Sequence, residues 1–221
     1  MAVVHTLKIL DTEYINYNVK RFVLEKPIGW MYVPGQATHI AVDLPGWEDK
    51  WRPFTFTSLN DWNYLELIIK IYDDHHSVTQ QLGKLNAGSS LLMKDVFGTI
   101  TYRGPGIFIA GGAGITPFIA IFRALYHSNN MRNVGLIYSN HYHEDVILHE
   151  ELSKMLGNGY ANVFTKQGVI GFAEKRIDRK FLVNTIRDFD SRFYLCGPQT
   201  FVEDISRLLV DLGAKVESIV I

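Results

Sequence analysis

The chain contains 221 residues, 47% of them hydrophobic, and its 22 lysines and arginines nearly balance its 23 aspartates and glutamates, for a formal net charge of −1. A balanced charge argues against nucleic acid as the main partner, because such partners are bound largely through a basic excess. The single cysteine excludes an internal disulfide and any zinc or iron–sulfur site built from cysteines alone.

Length and hydropathy limit the class of protein further. The chain is long enough for one large domain or two small ones. Its first residues lack the basic segment and apolar run of a signal peptide, and no apolar run approaches the ~20 residues that span a bilayer. We therefore expect a soluble, cytoplasmic globular protein with neither a nucleic acid nor a membrane as partner.

The first half of the chain has the pattern of short strands. Hydrophobic residues recur with a period of two along residues 40–44 and 65–71, which predicts strands with one face in a core. Residues 21–25 and 89–94 predict further strands, and turn signals separate all four. A helix is predicted over residues 78–85, where the hydroxyl of Ser77 or Thr79 can cap free backbone N–H groups. Several short strands with little helix between them indicate a small antiparallel barrel.

The hydrophobic period changes after Tyr102. Short apolar runs then alternate with segments whose apolar residues recur at helical spacing. The predicted strands cover residues 107–110, 134–138, 161–165, 193–196 and 216–221, and the predicted helices cover residues 118–125, 148–156, 178–186 and 201–212. This alternation indicates an α/β domain with a parallel sheet covered on both faces. We therefore predict two domains, an antiparallel β-barrel over residues 1–102 and an α/β domain over residues 103–221.

A glycine-rich segment, Gly-Gly-Ala-Gly-Ile-Thr-Pro over residues 111–117, lies between the first predicted strand and helix of the second half. Glycines let a backbone approach a pyrophosphate closely, and the helix N-terminus offers unpaired N–H donors. Thr116 can add a hydroxyl, and Pro117 loses no hydrogen bond in the first turn. We favour phosphate binding here over the alternative, a tight strand–helix turn without a ligand.

A second motif, Arg-Pro-Phe-Thr-Phe-Thr-Ser over residues 52–58, sets a permanent cation, aromatic rings and hydroxyls close together. Because alternate side chains of a strand share a face, Arg52, Phe54 and Phe56 point one way, and Thr55 and Thr57 the other. On composition alone, an ordinary strand with an exposed arginine and a half-buried aromatic pair explains this segment better than a binding site does.

The third motif is Cys196-Gly197-Pro198, at the end of a predicted parallel strand. Ligands of open parallel sheets bind beyond the carboxyl ends of the strands, so the sulfur can face a ligand. The alternative for a lone thiol is the role of a small buried hydrophobic side chain.

In their order and spacing, these motifs resemble the ferredoxin–NADP reductase-like flavoprotein superfamily, and in particular its compact bacterial flavodoxin or ferredoxin reductase-like members. The resemblance covers essentially the whole chain. It implies a flavin-binding barrel joined to a Rossmann-like NAD(P)-binding domain, with FAD and NAD(P)H as cofactors. It also implies an enzyme that passes a hydride from nicotinamide to flavin and then electrons to flavodoxin, ferredoxin or an oxygenase.

The resemblance implies a flavin site in the first half. Arg52 would contact the flavin phosphate, Phe54 would pack on the isoalloxazine in place of the usual tyrosine, and Thr55 would hydrogen-bond near N5 as a catalytic residue. A second flavin element of the family, a strand and a turn into a short helix, matches residues 70–79 and favours FAD over FMN. The implied flavin-binding residues are Arg52, Pro53, Phe54, Thr55, Ser58, Ile69, Lys70, Ile71, His76, Ser77, Val78 and Thr79.

The resemblance also implies a nicotinamide site, in which Cys196 is a catalytic residue that shapes hydride transfer without acting as a covalent nucleophile. An arginine at the end of a strand commonly recognises the 2′-phosphate of NADPH, but the residue at this place here is the uncharged Asn140. Positive charge could still come from Lys166, Lys175 and Arg176. The choice between NADH and NADPH therefore stays open. The implied residues are Gly112, Gly114, Ile115, Thr116, Pro117, Ser139, Asn140, Lys166, Cys196, Gly197 and Pro198.

Two other functions stay open beside the reduction of a carrier protein, and a metal site was also considered. The enzyme could instead reduce free flavin or a small acceptor, or the chain could be a dinucleotide-binding regulatory module without turnover. His141, His143 and His149 lie near acidic residues but without tight ligand spacing, so we predict no metal site.

Overall fold

The computed structural model describes residues 3–73, 77–98, 100–166 and 176–221. The chain divides into two compact units. The first unit comprises Met1–Thr101 together with Thr116–Ala124, and the second comprises Tyr102–Ile115 together with Leu125–Ile221. The predicted domain boundary after Tyr102 stays a prediction. Within the described ranges, no helix is both long and apolar enough to cross a membrane.

The first unit is built on six antiparallel strands and a short helix. Its elements are β1 (His5–Tyr14), β2 (Val19–Glu25), β3 (Ala37–Val42), β4 (Arg52–Thr55), β5 (Tyr64–Lys70), α1 (Val78–Lys84) and β6 (Ser90–Phe97). The strands lie in the order β4-β3-β6-β1-β2-β5. An antiparallel bridge between Phe56 and Leu67 brings the two edges of this sheet together, so the barrel is nearly closed. The predicted antiparallel barrel is confirmed.

The barrel core forms because inward-facing side chains of all the strands converge. Phe22, Leu65 and Met93 are fully buried within it. Phe56 is also fully buried, and its ring stacks on Tyr32 with the ring centroids 4.3 Å apart. Burial of such large apolar side chains is the dominant favourable term in folding.

Strand β1 is not among the predicted strands, although it is the longest in the barrel. Leu7 and Ile9 are buried between exposed neighbours, as the period of two requires. The register then shifts between Ile9 and Asp11, where β1 pairs with β2. Such a bulge breaks the alternation of buried and exposed residues, which weakens the sequence pattern.

Strand β5 is buried on both faces, whereas the sequence predicted burial of one face. Alternation over residues 65–71 predicts one buried face, but Leu65–Ile69 are all buried, including the charged Glu66. The second face is covered because Arg123, in the helical segment that belongs to this unit, hydrogen-bonds to Glu66.

The second unit is built on a five-stranded parallel sheet. Its strands are β7 (Gly106–Gly111), β8 (Gly135–Asn140), β9 (Tyr160–Phe164), β10 (Arg192–Cys196) and β11 (Ile219–Val220). The helices that follow β7, β8, β9 and β10 along the chain are α2 (Thr116–His127), α3 (His149–Leu156), α4 (Arg179–Thr185) and α5 (Gln199–Asp211). Consecutive residues of the central strands are buried, as expected for a sheet that is covered on both faces. The predicted α/β architecture is confirmed.

The strand order in the second unit, β11-β10-β7-β8-β9, creates a point where the direction of winding reverses. The chain runs outward from β7 through β8 to β9, and then returns to the other side of β7 for β10 and β11. Ligands of such sheets bind at the carboxyl ends of the strands flanking this reversal, here β7 and β10.

Two predicted helix starts are confirmed, and the last predicted strand is partly wrong. The side chains of Ser77 and Asp178 accept hydrogen bonds from backbone N–H groups in the first turns of α1 and α4. Residues 216–221 were expected to form one strand, but Val216–Ser218 is a 3₁₀ turn and only Ile219–Val220 pairs with β10. The turn forms because the backbone N–H and the hydroxyl of Ser218 both donate to the Lys215 carbonyl.

Candidate functional site

The glycine-rich segment forms the predicted turn between β7 and α2. Gly112–Ile115 is a 3₁₀ turn, and α2 begins at Thr116. Gly112 has a φ of +54°, and no atom lies within 4 Å of the position that a Cβ would occupy. The backbone is therefore left-handed, which favours glycine, and it borders open space. The Tyr138 hydroxyl donates to the Gly112 carbonyl at 3.0 Å and holds the turn.

The glycine turn and the Cys-Gly-Pro motif meet at the winding reversal of the parallel sheet. A Cβ on Gly114 would overlap the backbone of Cys196 and Gly197, so only glycine permits this approach. The two motifs come from the ends of β7 and β10, which pair directly, with Ala110 opposite Cys196. The open space beside Gly112, next to these strand ends, fits a dinucleotide phosphate.

Cys196 is partly buried at the end of β10. Burial raises the pKa of its thiol to about 11, although a backbone hydrogen bond at Gly197 opposes the shift. The thiolate is the nucleophilic form of cysteine, and this thiol is protonated at neutral pH. Its chemistry therefore supports a packing or orienting role rather than covalent attack.

Other residues of the predicted nicotinamide site lie at neighbouring strand ends. Ser139 pairs with Gly111 at the end of β8, and both Ser139 and Asn140 are buried. Lys166 is exposed just beyond β9, where its backbone N–H donates to the His141 carbonyl. Pro198 is exposed beyond β10 and Ile115 is fully buried. The contacts of these residues with a cofactor stay predictions.

The Arg-Pro-Phe-Thr segment forms β4 and the residues after it in the first unit. Arg52 is exposed, and its guanidinium donates to the Trp51 carbonyl at 2.8 Å. The Pro53 ring is exposed, whereas Phe54 is half-buried against the barrel core. The Thr55 hydroxyl donates to the Thr116 hydroxyl at 2.8 Å, within the same unit. The structure thus brings Thr116, the first residue of α2, into contact with the predicted flavin motif.

Ser58 is buried inside the barrel, whereas a hydroxyl that contacts a cofactor must be accessible to it. Its side chain is fully buried, 2.7 Å from the Tyr32 hydroxyl, and it accepts a hydrogen bond from the Glu66 N–H at 2.9 Å. Burial raises the pKa of Tyr32 to about 12, so that phenol stays protonated at neutral pH. The Ser58 hydroxyl therefore has a structural role inside the barrel, and its contact with a flavin stays a prediction.

The second predicted flavin element surrounds the start of α1. The side chains of Ile69, Ile71 and Val78 are buried in the barrel core, and the backbone N–H of Ile71 donates to the Asn18 carbonyl at 2.7 Å. The contacts of these residues with a flavin stay predictions. Lys70 is half-buried. The Ser77 hydroxyl lies 3.0 Å from the Thr79 hydroxyl and caps α1. His76 lies outside the described residues.

A buried ion-pair network beside the flavin motif is absent from the sequence-based predictions. The carboxylate of Glu66 receives hydrogen bonds from Arg21 at 2.6 Å, Arg123 at 2.6 Å and Thr57 at 2.8 Å. Burial alone would raise the pKa of Glu66, but the charge of Arg123 and these hydrogen bonds outweigh it and hold the pKa below its usual value. The sequence carried one signal for the ion pair of Glu66 and Arg123. Each is a charged residue within an apolar run, Glu66 in β5 and Arg123 in α2.

The histidines that resemble metal ligands make other contacts. The Nδ1 atom of His141 lies 2.9 Å from the Thr165 hydroxyl, and the rings of His143 and His149 meet edge to face, with centroids 5.6 Å apart. In the part of the chain that the structure describes, no group of three or more His, Cys, Asp or Glu side chains is placed to hold a metal ion.

Comparison with known families assigns both halves of the chain. Residues 6–102 match the family described as Oxidoreductase FAD-binding domain, and residues 108–207 match Oxidoreductase NAD-binding domain.

Curated relatives align along most of the chain. NADH-cytochrome b5 reductase 1 of Aspergillus terreus is 27% identical over 90% of this chain and 73% of its own length. The protein of the same name from Arabidopsis thaliana is 29% identical over 95% of this chain and 80% of its own. A plasma membrane-associated coenzyme Q6 reductase of Saccharomyces cerevisiae is 27% identical over 96% of this chain and 73% of its own.

Solved structures share the fold at lower identity. The FAD/NAD-binding domain of nitric oxide dioxygenase from Vibrio cholerae superposes with a TM-score of 0.85 at 21% identity, covering 97% of this chain and 96% of that one. A ferredoxin NADP+ reductase from Neisseria gonorrhoeae with bound FAD and NADP superposes with a TM-score of 0.82 at 22% identity, covering 96% and 93%.

Proposed function

The chain belongs to the ferredoxin–NADP reductase-like flavoproteins as an NAD(P)H-dependent oxidoreductase with FAD-binding and NAD-binding domains, and from that premise we propose that it delivers electrons to a separate one-electron carrier protein. A chain with one cysteine cannot hold a cysteine-bound iron–sulfur cluster of its own. Electrons that leave the flavin singly therefore need an acceptor outside these 221 residues.

The relatives favour a haem carrier of the cytochrome b5 class. The curated relatives from Aspergillus terreus and Arabidopsis thaliana are named NADH-cytochrome b5 reductases. Flavodoxin and ferredoxin, the carriers predicted from the sequence, come second, with support from the fold of the Neisseria gonorrhoeae reductase. An oxygenase comes third.

The observation that carries the proposal is the hydrogen bond between Thr55 and Thr116. Thr55 belongs to the predicted flavin motif and Thr116 to the predicted nicotinamide motif. We propose that the two reacting rings are held beside these two hydroxyls, which lie 2.8 Å apart. Reacting atoms must approach to about 3–3.5 Å for transfer, so orientation at this point controls the rate.

The residues of the chain supply orientation and polarity. FAD, when bound, accepts a hydride from NAD(P)H and releases electrons one at a time. The exposed Arg52 would hold the flavin phosphate, and Thr55 would donate a hydrogen bond towards the ring. The open backbone at Gly112 would receive the dinucleotide phosphate. The protonated thiol of Cys196 would pack beside the nicotinamide without attacking it.

We propose NADH as the preferred donor. The strand end at which an arginine commonly binds a 2′-phosphate carries Ser139 and Asn140, both buried and uncharged. The cytochrome b5 reductase relatives are named for NADH. Lys166, which is exposed beyond the next strand, and the exposed Arg176 are the described cations among those predicted to favour NADPH instead.

A spectroscopic titration tests these proposals. The purified protein is loaded with FAD and titrated anaerobically with NADH and then NADPH while flavin absorbance is followed. We expect NADH to bleach the flavin at lower concentration, and the reduced protein to reduce cytochrome b5 faster than flavodoxin or ferredoxin. Preference for NADPH would reject the donor assignment, and carrier reduction no faster than that of free FMN would reject the protein acceptor.

A small acceptor is the second candidate. The coenzyme Q6 reductase of Saccharomyces cerevisiae supports it, because that relative is named for a quinone. Rapid reduction of a soluble quinone or of free flavin, without carrier reduction, would favour this candidate. A protein that neither binds FAD nor reduces it would instead be the non-catalytic dinucleotide-binding module.

A further inference from the structure

We propose that Glu66 and Arg123 are positioning residues, which hold Thr116–Ala124 on the flavin motif so that the hydroxyls of Thr55 and Thr116 stay paired. The inference rests on the proposed function, because the pairing matters most if the two motifs serve hydride transfer. Neither residue belongs to the predicted cofactor site, and both act through other side chains.

Arg123 contacts the flavin motif directly. One guanidinium nitrogen, Nη1, donates to Glu66 at 2.6 Å and to the Thr57 carbonyl at 2.7 Å. The guanidinium also lies 5.1 Å from the centroid of the Trp62 ring, within cation–π range. Glu66 is 2% exposed and Arg123 is 8% exposed. Water therefore competes little with these contacts, and the guanidinium is held on several sides.

The same carboxylate also holds the flavin motif. Glu66 accepts a hydrogen bond from the Thr57 hydroxyl at 2.8 Å, and its backbone N–H donates to the Ser58 hydroxyl at 2.9 Å. The Thr57 N–H in turn donates to the Glu66 carbonyl at 2.9 Å. Glu66 thus fixes the chain directly after Thr55.

Two contacts connect the flavin motif to α2, and the residues that make them are spaced to match along the strand and the helix. Thr55 and Thr57 are two residues apart on extended chain and share a face. Arg123 follows Thr116 by seven residues, close to two helical turns, so these two also share a face. Thr55 meets Thr116, and Thr57 meets Arg123. Fixing the second connection sets the rotation of the helix, and with it the position of the Thr116 hydroxyl.

Arg21 provides a matched control on the same carboxylate. It donates to the other oxygen of Glu66 at 2.6 Å, and its side chain is 24% exposed. Arg21 also lies near Asp11 and Glu13, so its side-chain ion pairs among the described residues are with the strands β1 and β5. Loss of Arg21 therefore disturbs the ion pair without releasing Thr116.

The experiment compares Arg123→Met with Arg21→Met in two measurements. In FAD-free protein, hydrogen exchange of the amides of residues 116–124 is followed by mass spectrometry. In FAD-loaded protein, flavin reduction by NADH and by dithionite is followed in stopped flow. We expect Arg123→Met to speed exchange in this segment and to slow reduction by NADH about tenfold or more, because small misplacements of reacting groups are costly. Dithionite reduction and the FAD dissociation constant should stay within about twofold.

In Arg21→Met, hydrogen exchange of residues 116–124 and the rate of flavin reduction by NADH should stay near those of the wild type. This should hold even if the variant unfolds at a lower temperature. Equal effects of the two variants would overturn the proposal, since they would reflect general loss of stability. Unchanged exchange or an unchanged NADH rate in Arg123→Met would also overturn it. If Arg123→Met does not fold, Arg123→Lys takes its place, with smaller changes in the same directions expected.

The hydrogen-exchange measurement needs no cofactor, so it tests the positioning role independently of the proposed function. A wild-type protein that fails to reduce FAD with NADH or NADPH rejects the proposed function. The exchange comparison then still decides whether Arg123 holds this segment.

Discussion

The Thr55 hydroxyl donates a hydrogen bond to the Thr116 hydroxyl at 2.8 Å. Thr55 closes β4, and Thr116 opens α2. If this pair orients hydride transfer, Thr55→Val should slow flavin reduction by NADH about 100-fold, because removing one well-placed donor typically costs on that order. The measurement is single-turnover stopped flow at saturating NADH.

The conservative variant Thr55→Ser is the control for this prediction. It retains the hydroxyl and should keep most of the rate. A Thr55→Val enzyme with a wild-type rate would remove Thr55 from the catalytic residues.

Arg52→Ala should weaken FAD binding with little effect on the fold. Its guanidinium is exposed, so the barrel core does not depend on it. Loss of a charge-assisted hydrogen bond to phosphate corresponds to about a 10- to 100-fold higher dissociation constant. Flavin fluorescence measures FAD affinity, and circular dichroism checks the fold. Unchanged affinity would place the flavin phosphate elsewhere.

Cys196 should react slowly with thiol reagents. Burial raises its pKa from the usual 9.0 to about 11, which lowers the thiolate fraction at pH 7 by about 100-fold. Iodoacetamide should therefore modify the folded protein at about one hundredth of the rate seen after unfolding, and the rate should rise through pH 9. Because the chain has one cysteine, mass spectrometry follows this site alone.

The catalytic role of Cys196 needs a separate variant. Cys196→Ala should retain FAD and reduce it more slowly with NADH, because the thiol packs at the predicted nicotinamide site. A full hydride-transfer rate would exclude Cys196 from the catalytic residues.

Glu66 should stabilise the fold above the usual carboxyl pKa and lose this effect in acid. Its pKa in the folded protein lies below the usual value of 4.5, so its stabilisation is present above that value and is lost as pH falls through the folded-state pKa. Glu66→Gln should cost about 3 kcal/mol at pH 7, because it leaves the buried Arg123 without its counter-charge.

The pH dependence is read from urea unfolding. The free-energy difference between wild type and Glu66→Gln should shrink as the pH falls below about 4.5. Glu203→Gln, at an exposed position on α5, is the control and should differ from wild type by less than about 0.5 kcal/mol at every pH. A constant cost of Glu66→Gln down to acid pH would contradict the assignment.

Two glycine variants separate close packing from backbone conformation. Gly114→Ala should cost about 3 kcal/mol, more than Gly112→Ala, and weaken NAD+ binding, because its Cβ would overlap the backbone at Cys196. Gly112→Ala should cost about 1 kcal/mol, because it strains a left-handed residue in open space. Thermal unfolding and NAD+ titration measure both, and equal stability of the two variants would contradict the packing argument.

Much of this protein was determined by local sequence. The period of two before Tyr102 and the helical spacing after it indicated the barrel and the parallel sheet, because burial on one face imposes these periods within a short segment. The glycine turn and the cap of Asp178 were also readable, since each depends on conformations and hydrogen bonds within a few residues. The family resemblance added the cofactors from motifs that are themselves short.

Tertiary structure alone decided what lies opposite each segment. Glu66 and Arg123 are 57 residues apart, and the local pattern predicts only that both are charged residues within apolar runs. The need for glycine at position 114 likewise comes from the distant backbone of Cys196. A chain folds these groups together to bury surface and satisfy buried charges, and those interactions are defined by contacts between strands and helices rather than by neighbours in sequence.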